Sequence, residues 1–91
     1  MIRKSKLEMR VDILKILTQE PMKLTKLMHK MDLSQNVLKQ HLDFLVQQDL
    51  VEEQNLGKDA IFYVISGRGL KVLNIVAPMI SEAPENHALL H

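Results

Sequence analysis

LSQNVLKQHLDFLVQQDLV, residues 33–51, carries an apolar side chain at every third or fourth position, the spacing of one face of an α-helix. Leu38, Leu42 and Leu45 share that face, with His41 beside them and Val37 at its border. The opposite face is not the usual solvated mixture of Glu and Lys. It holds Asn36, Lys39, Gln40, Asp43 and Gln47, with Gln35 just ahead. Ser34 is placed to cap the helix, which is predicted to run to about Gln48.

Upstream, KLMHKM (26–31) reads as a short helix capped by Thr25, with Leu27, Met28 and Met31 facing inward. The DLS stretch at 32–34 breaks it, so two helices follow each other across a tight turn, the helix–turn–helix arrangement. In such units the N-terminal residues of the second helix reach base edges in the DNA major groove. Asn and Gln suit that task because each amide offers a donor and an acceptor, matching adenine N6 and N7. Lys26 and Lys30, four apart, are placed to meet phosphate, with Lys23 just upstream. Asp43 opposes the reading, because a carboxylate on that face repels phosphate unless a cytosine amine or a neighbouring lysine takes it up.

Downstream, VEEQNL (51–56) and AIFYVIS (60–66) have strand character and GKD (57–59) separates them, so a β-hairpin is predicted with Gly57 supplying the turn and Lys58 at its tip. Ser66 is expected to cap a last helix from about Gly67 to Ile80, interrupted or bent by Pro78. At the N-terminal end, SKLEMRVDILKILTQEP (5–21) predicts a helix capped by Ser5 and ended before Pro21. Its Leu7, Met9, Val11, Ile13, Leu14, Ile16 and Leu17 spread over an arc of about 220°, wider than one core-facing stripe needs. MKL (22–24) is read as a three-residue edge strand.

Ninety-one residues with 46% apolar content suffice for one compact core. There is no Cys, which removes disulfides and thiolate metal sites. No window holds the roughly 18 apolar residues of a membrane span, and no secretory leader is apparent, so a soluble, cytoplasmic, nucleoid-associated protein is expected. Net charge is +1, but its distribution is uneven. Residues 1–40 hold nine Lys/Arg and four acids, a balance of +5, and residues 41–91 hold three and seven, a balance of −4. Such polarity can present a basic face to a polyanion. Arg3, Lys4 and Lys6 add a basic N-terminal arm.

The run from Leu24 to Leu73 resembles the winged helix–turn–helix of small archaeal DNA-binding proteins and their viral relatives. The resemblance rests on the leucine rhythm of the second helix, the short hairpin, and then Tyr63, Ile65, Ser66, Gly69 and Leu73, and it covers residues 7 to 77. It implies an α+β fold: a three-helix core, a β-hairpin wing and a further C-terminal helix. Asp49 stands where that pattern commonly has Gly, so the end of the helix is expected to close differently. The last helix is shorter than the long coiled-coil helix of some archaeal relatives.

The expected DNA-contacting residues are Lys23, Thr25, Lys26, Lys30, Ser34, Gln35, Asn36, Lys39, Gln40 and Lys58. The apolar excess of the first and last helices points to a homodimer built from Leu7, Met9, Val11, Val72, Ile75, Val76 and Met79. The expected domain covers 1–80, with 81–91 a loose tail. His29, His41, His87 and His91 have no i, i+4 metal spacing, Ser5, Ser34 and Ser66 are explained as caps, and Glu52 and Glu53 alternate faces of one strand. No cofactor and no enzymatic reaction are expected, and no effector is named by any motif. The function read here is a double-stranded DNA-binding transcriptional regulator. Its alternatives are a non-specific chromatin protein and a winged-helix protein-interaction module.

Overall fold

The computed structural model describes residues 4–58 and 60–81, with side chains placed as far as Met79. In chain order the elements are α1 (Lys6–Leu17), α2 (Leu24–Met31), α3 (Gln35–Gln47), β1 (Val51–Asn55), β2 (Ile61–Ile65) and α4 (Gly67–Ser81).

α1 begins at a reciprocal cap: Ser5 Oγ accepts from the Glu8 N–H at 3.1 Å, and the Ser5 N–H donates to Glu8 Oε1 at 2.9 Å. The wide apolar arc of this helix has an internal cause. Val11, Ile13, Leu14 and Leu17 are buried in the core. Met9 and Ile16 share a shallow cleft with Met31 and Leu33. Leu7, Val11 and Leu14 line another with Val72 and Val76 of α4. One helix thus packs on two flanks, and Val11, at 3% exposure, belongs to the chain's own core and is not available to a partner.

Met22 forms an isolated antiparallel bridge with Tyr63, exchanging both backbone bonds at 3.1 and 2.8 Å. The expected three-residue strand is this single residue. The bridge keeps the chain extended through Lys23 (φ −82°, ψ 162°), so α2 starts directly at Leu24 with Lys23 in the capping position. Thr25 lies inside the helix and does not cap it, contrary to the sequence reading, and no side chain caps this end.

Two aspartates end helices in the left-handed conformation, Asp32 at φ 57° and Asp49 at φ 61°. After α2, the Leu33 N–H reaches back to Met28 O at 3.3 Å; after α3, the Leu50 N–H reaches Leu45 O at 2.9 Å. Both are the glycine-type closure in which a left-handed residue lets the chain satisfy the last carbonyls. The expected difference at Asp49 is therefore one of residue only. Asp substitutes for Gly because its short polar side chain tolerates this region better than most.

β1 and β2 pair antiparallel with Val51 opposite Ile65 and Asn55 opposite Ile61. The loop closes through Leu56 N–H to Ala60 O at 3.0 Å and Asn55 Oδ1 accepting from the Gly57 N–H at 3.3 Å. Gly57 has no positive φ, and an added Cβ would meet only Ala60 Cβ at 3.7 Å. The turn does not depend on that glycine, contrary to the sequence reading.

α4 is docked on the corner between α3 and β1. Ser66 Oγ accepts from the Gly69 N–H at 2.9 Å and donates to Asp49 O at 2.7 Å, while Arg68 Nε donates to Gln48 O at 3.1 Å. A Cβ on Gly69 would lie 2.2 Å from Leu50 O, so the close approach requires glycine there. The helix is not interrupted at Pro78 and continues to Ser81, one residue past the expected Ile80. The remaining expected tail, 82–91, lies outside the described residues, as does Arg3.

Candidate nucleic-acid interface

α2, the three-residue turn Asp32–Ser34 and α3 form the helix–turn–helix. α3 is fixed from below by Leu38, Leu42 and Leu45, each at most 1% exposed. Burying a leucine contributes about 1.5–3 kcal/mol, so these three set the rotation of the helix. Ser34 Oγ accepts from the Val37 N–H at a long 3.4 Å. With the rotation set, Gln35, Asn36, Gln40, Asp43 and Gln47 are exposed on the outer face. The amides make no described hydrogen bond, so their donors and acceptors face solvent.

Lys39 is a different case. Its Nζ lies 3.2 Å from Asp43 Oδ1, and Tyr63 and Glu53 are also close enough to act on it. The bond to Asp43 and these neighbours raise its pKa. Asp43 is thereby answered by a lysine on its own helix, which removes the repulsion expected from the sequence but also occupies the cation expected at the bases. The buried Tyr63 phenol is pushed up, chiefly by desolvation.

On the α2 flank, Lys26 Nζ sits 2.8 Å from Glu20 Oε2. That bond, with a smaller contribution from Lys30, holds the Glu20 carboxyl below its usual range. Lys23 lies over the Phe62 ring, 5.9 Å from its centroid, which ties the start of α2 to the wing. Thr25, Lys30, Ser34 and Lys58 are exposed. Lys23, Lys30 and Lys58 are not in a salt bridge among the described residues. Of the expected N-terminal basic arm, Lys4 is ion-paired with Asp12 on α1 and Lys6 lines the cleft against α4, while Arg3 lies outside the described residues.

Of the residues expected at a dimer interface, Ile75 and Met79 are the most open, at 66% and 73% exposure, and Leu7 follows at 56%. Met9, Val72 and Val76 are half-buried within the chain.

The sequence reading missed Arg10. Its guanidinium stacks 3.8 Å from the Phe44 ring centroid, and its Nε donates to Nδ1 of His41 at 3.2 Å. His41 is 6% exposed, and burial together with the nearby Arg10 and Lys6 charges lowers its pKa. The signal was present in the helix wheel, where Arg10 falls at the middle of α1's apolar arc. Among the described residues no three His, Asp or Glu side chains gather as a metal site, and no helix is long and apolar enough to cross a membrane.

Solved structures share this arrangement. ZitR of Lactococcus lactis, determined in complex with DNA, superposes with a TM-score of 0.69 at 15% identity, over 84% of this chain and 52% of that one. AbsC, a MarR family transcriptional regulator from Streptomyces coelicolor, gives a TM-score of 0.69 at 24% identity, over 77% of this chain and 51% of that one. The reduced form of the transcriptional regulator YodB from B. subtilis gives 0.72 at 22% identity, over 81% and 76%. The chain thus spans about half the length of ZitR and AbsC. At such identities the likeness is one of fold. No match is found among curated protein sequences. The winged helix–turn–helix family profile, however, matches residues 3–83, and with a helix–turn–helix, a two-stranded wing and a docked fourth helix in place, the chain belongs to the winged helix–turn–helix family.

Proposed function

We propose that this protein is a double-stranded DNA-binding transcriptional regulator, acting as a homodimer in the cytoplasm, with no catalytic role. The observation that carries the reading is the outer face of α3, where Gln35, Asn36 and Gln40 are exposed and make no described hydrogen bond within the chain. Lys23 and Lys30 beside it and Lys58 on the wing supply phosphate contacts, and Thr25 and Ser34 offer hydroxyls to the backbone. AbsC and YodB, solved neighbours that are transcriptional regulators, and ZitR, solved in complex with DNA, support the same reading. The open Ile75 and Met79 support a second copy as the partner of α4. A two-fold pair would set its recognition helices about 34 Å apart, one turn of DNA.

A protein-interaction role is the second reading. It is favoured by the engagement of Lys26 with Glu20 and of Lys39 with Asp43, which lowers the free positive charge on this face.

Gel-shift titration on random duplex at several salt concentrations separates the two. Three lysines outside salt bridges, with Lys26 joining when its pair exchanges, predict a log–log salt slope of roughly −3 to −4 per subunit. Lys23→Ala with Lys30→Ala should flatten it by roughly two. No binding at low salt, or binding indifferent to salt, would overturn the DNA reading in favour of the protein partner.

A further inference from the structure

A cleft of 290 Å³ opens between α1, the end of α3 with Leu50 just after it, and α4. Leu7, Leu14, Phe44, Leu50 and Val76 contribute to its apolar wall. Its surface is almost wholly apolar, and the charged residues on its lining are Lys6 and Arg10, with no acid. Neither cation has a carboxylate within salt-bridge distance among the described residues. Lys6 is exposed at the rim and Arg10 is half-buried, so both keep positive charge at the edge of an apolar wall.

Arg10 is also preorganised. Phe44 supports one face of its guanidinium and His41 takes its Nε–H, which leaves the terminal Nη groups for a further acceptor. A planar guanidinium so held matches a carboxylate through two parallel hydrogen bonds. Lys6, one helical turn away, adds a second positive charge on the same lining.

We propose that this cleft binds a small amphipathic monoanion, a carboxylate carried on an apolar body, with the charge at Arg10 and Lys6 and the body against Leu14, Phe44 and Val76. His41 and Phe44 both lie on α3, so an anion that draws Arg10 toward itself changes the grip of α1 on the helix bearing the amide face. That regulatory consequence rests on the DNA-binding reading. The binding itself is measured on the free protein, so the two can fail separately.

The test is calorimetric or NMR titration of the full chain, without DNA, using octanoate, 1-octanol and acetate as probes. Octanoate should bind saturably and at least about tenfold more tightly than octanol, the value of one charge-assisted hydrogen bond, and acetate should not bind detectably. Lys6→Gln should weaken octanoate several-fold while leaving octanol unchanged. Val76→Phe, which fills the cleft, should abolish both; its melting curve establishes that the fold is kept. Equal affinities for octanoate and octanol would show an apolar crevice without anion recognition and overturn the proposal, as would non-saturating uptake. Octanoate affinity that falls as protein concentration rises would make a second copy the occupant, and would overturn it as well.

Discussion

Gly69→Ala tests the docking of α4 most directly. The added methyl would lie 2.2 Å from Leu50 O and 2.7 Å from Ile65 Cγ1. Leu50 O is backbone, fixed by its place between α3 and β1, so α4 must retreat by about 1 Å or more to restore ordinary contact. Retreat strains the Ser66 N–H to Leu50 O bond at 3.0 Å and the Arg68 to Gln48 O bond at 3.1 Å. Overpacking of this kind costs about 1–3 kcal/mol, and weakening one or two hydrogen bonds adds about 0.5–1.5 each. Replacing Gly by Ala in a helix returns about 1 kcal/mol. The net expectation is a loss of about 2–3 kcal/mol, or a Tm lower by roughly 10–20 °C for a chain of this size. Gly67→Ala is the matched control, because a Cβ there meets nothing within 4 Å. It should be neutral or stabilising by up to about 1 kcal/mol. Urea denaturation followed by circular dichroism measures both. A Gly69→Ala variant within about 0.5 kcal/mol of wild type would refute the close-approach argument, whatever Gly67→Ala does.

Asp49→Gly, which relieves a left-handed non-glycine residue, should stabilise the chain by about 0.5–1 kcal/mol in the same assay, and a loss would show that Asp49 is not strained. His41 has a folded pKa below its unfolded value, so its contribution is present above about pH 6.5 and is lost as pH falls from there through the folded pKa. Wild type should therefore lose more stability than His41→Asn between about pH 7 and pH 5, and equal losses would exclude His41 as the cause. Asn36→Ala and Gln40→Ala should each change base preference at one position by about 1–3 kcal/mol in a random-duplex selection, whereas unchanged preferences would make these amides ordinary surface groups. Ile75→Glu should shift the protein to monomers in sedimentation equilibrium; a wild type that is already monomeric at micromolar concentration would refute the dimer.

Periodicity made α1, α3 and α4 legible, because each is long enough for the apolar spacing to repeat, and α3's outer face followed from the same arithmetic. The caps at Ser5, Ser34 and Ser66 were legible for a local reason, a hydroxyl just ahead of an apolar run. α2 was placed with the wrong cap because its start is decided by a distant contact, Met22 with Tyr63, that no local pattern encodes. The same limit applies to charge. Lys26 looks available in one dimension, but Glu20, six residues away, reaches it; Lys39 is held by Asp43 on its own helix, a pairing that the spacing does allow, with Tyr63 and Glu53 of the hairpin acting on it as well. α1's arc is wide because α3, β2 and α4 all pack against it, which the sequence does not reveal. Arg10, at the centre of that arc, was the readable clue that the helix does more than fill a core.

The exposed amides of α3, Gln35, Asn36, Gln40 and Gln47, make no described hydrogen bond that holds the helix in place. Its rotation comes from Leu38, Leu42 and Leu45, and its C-terminal end is held by Arg68 and by the Leu50–Leu45 closure. Substitutions at Gln35, Asn36, Gln40 and Gln47 should therefore change stability by no more than about 0.5 kcal/mol. Under the DNA-binding proposal, the sequence this surface reads can drift by single substitutions, each tolerated without a compensating change in the core. Retargeting in evolution, or by design, then becomes a search over a few positions on a frame that stays folded throughout.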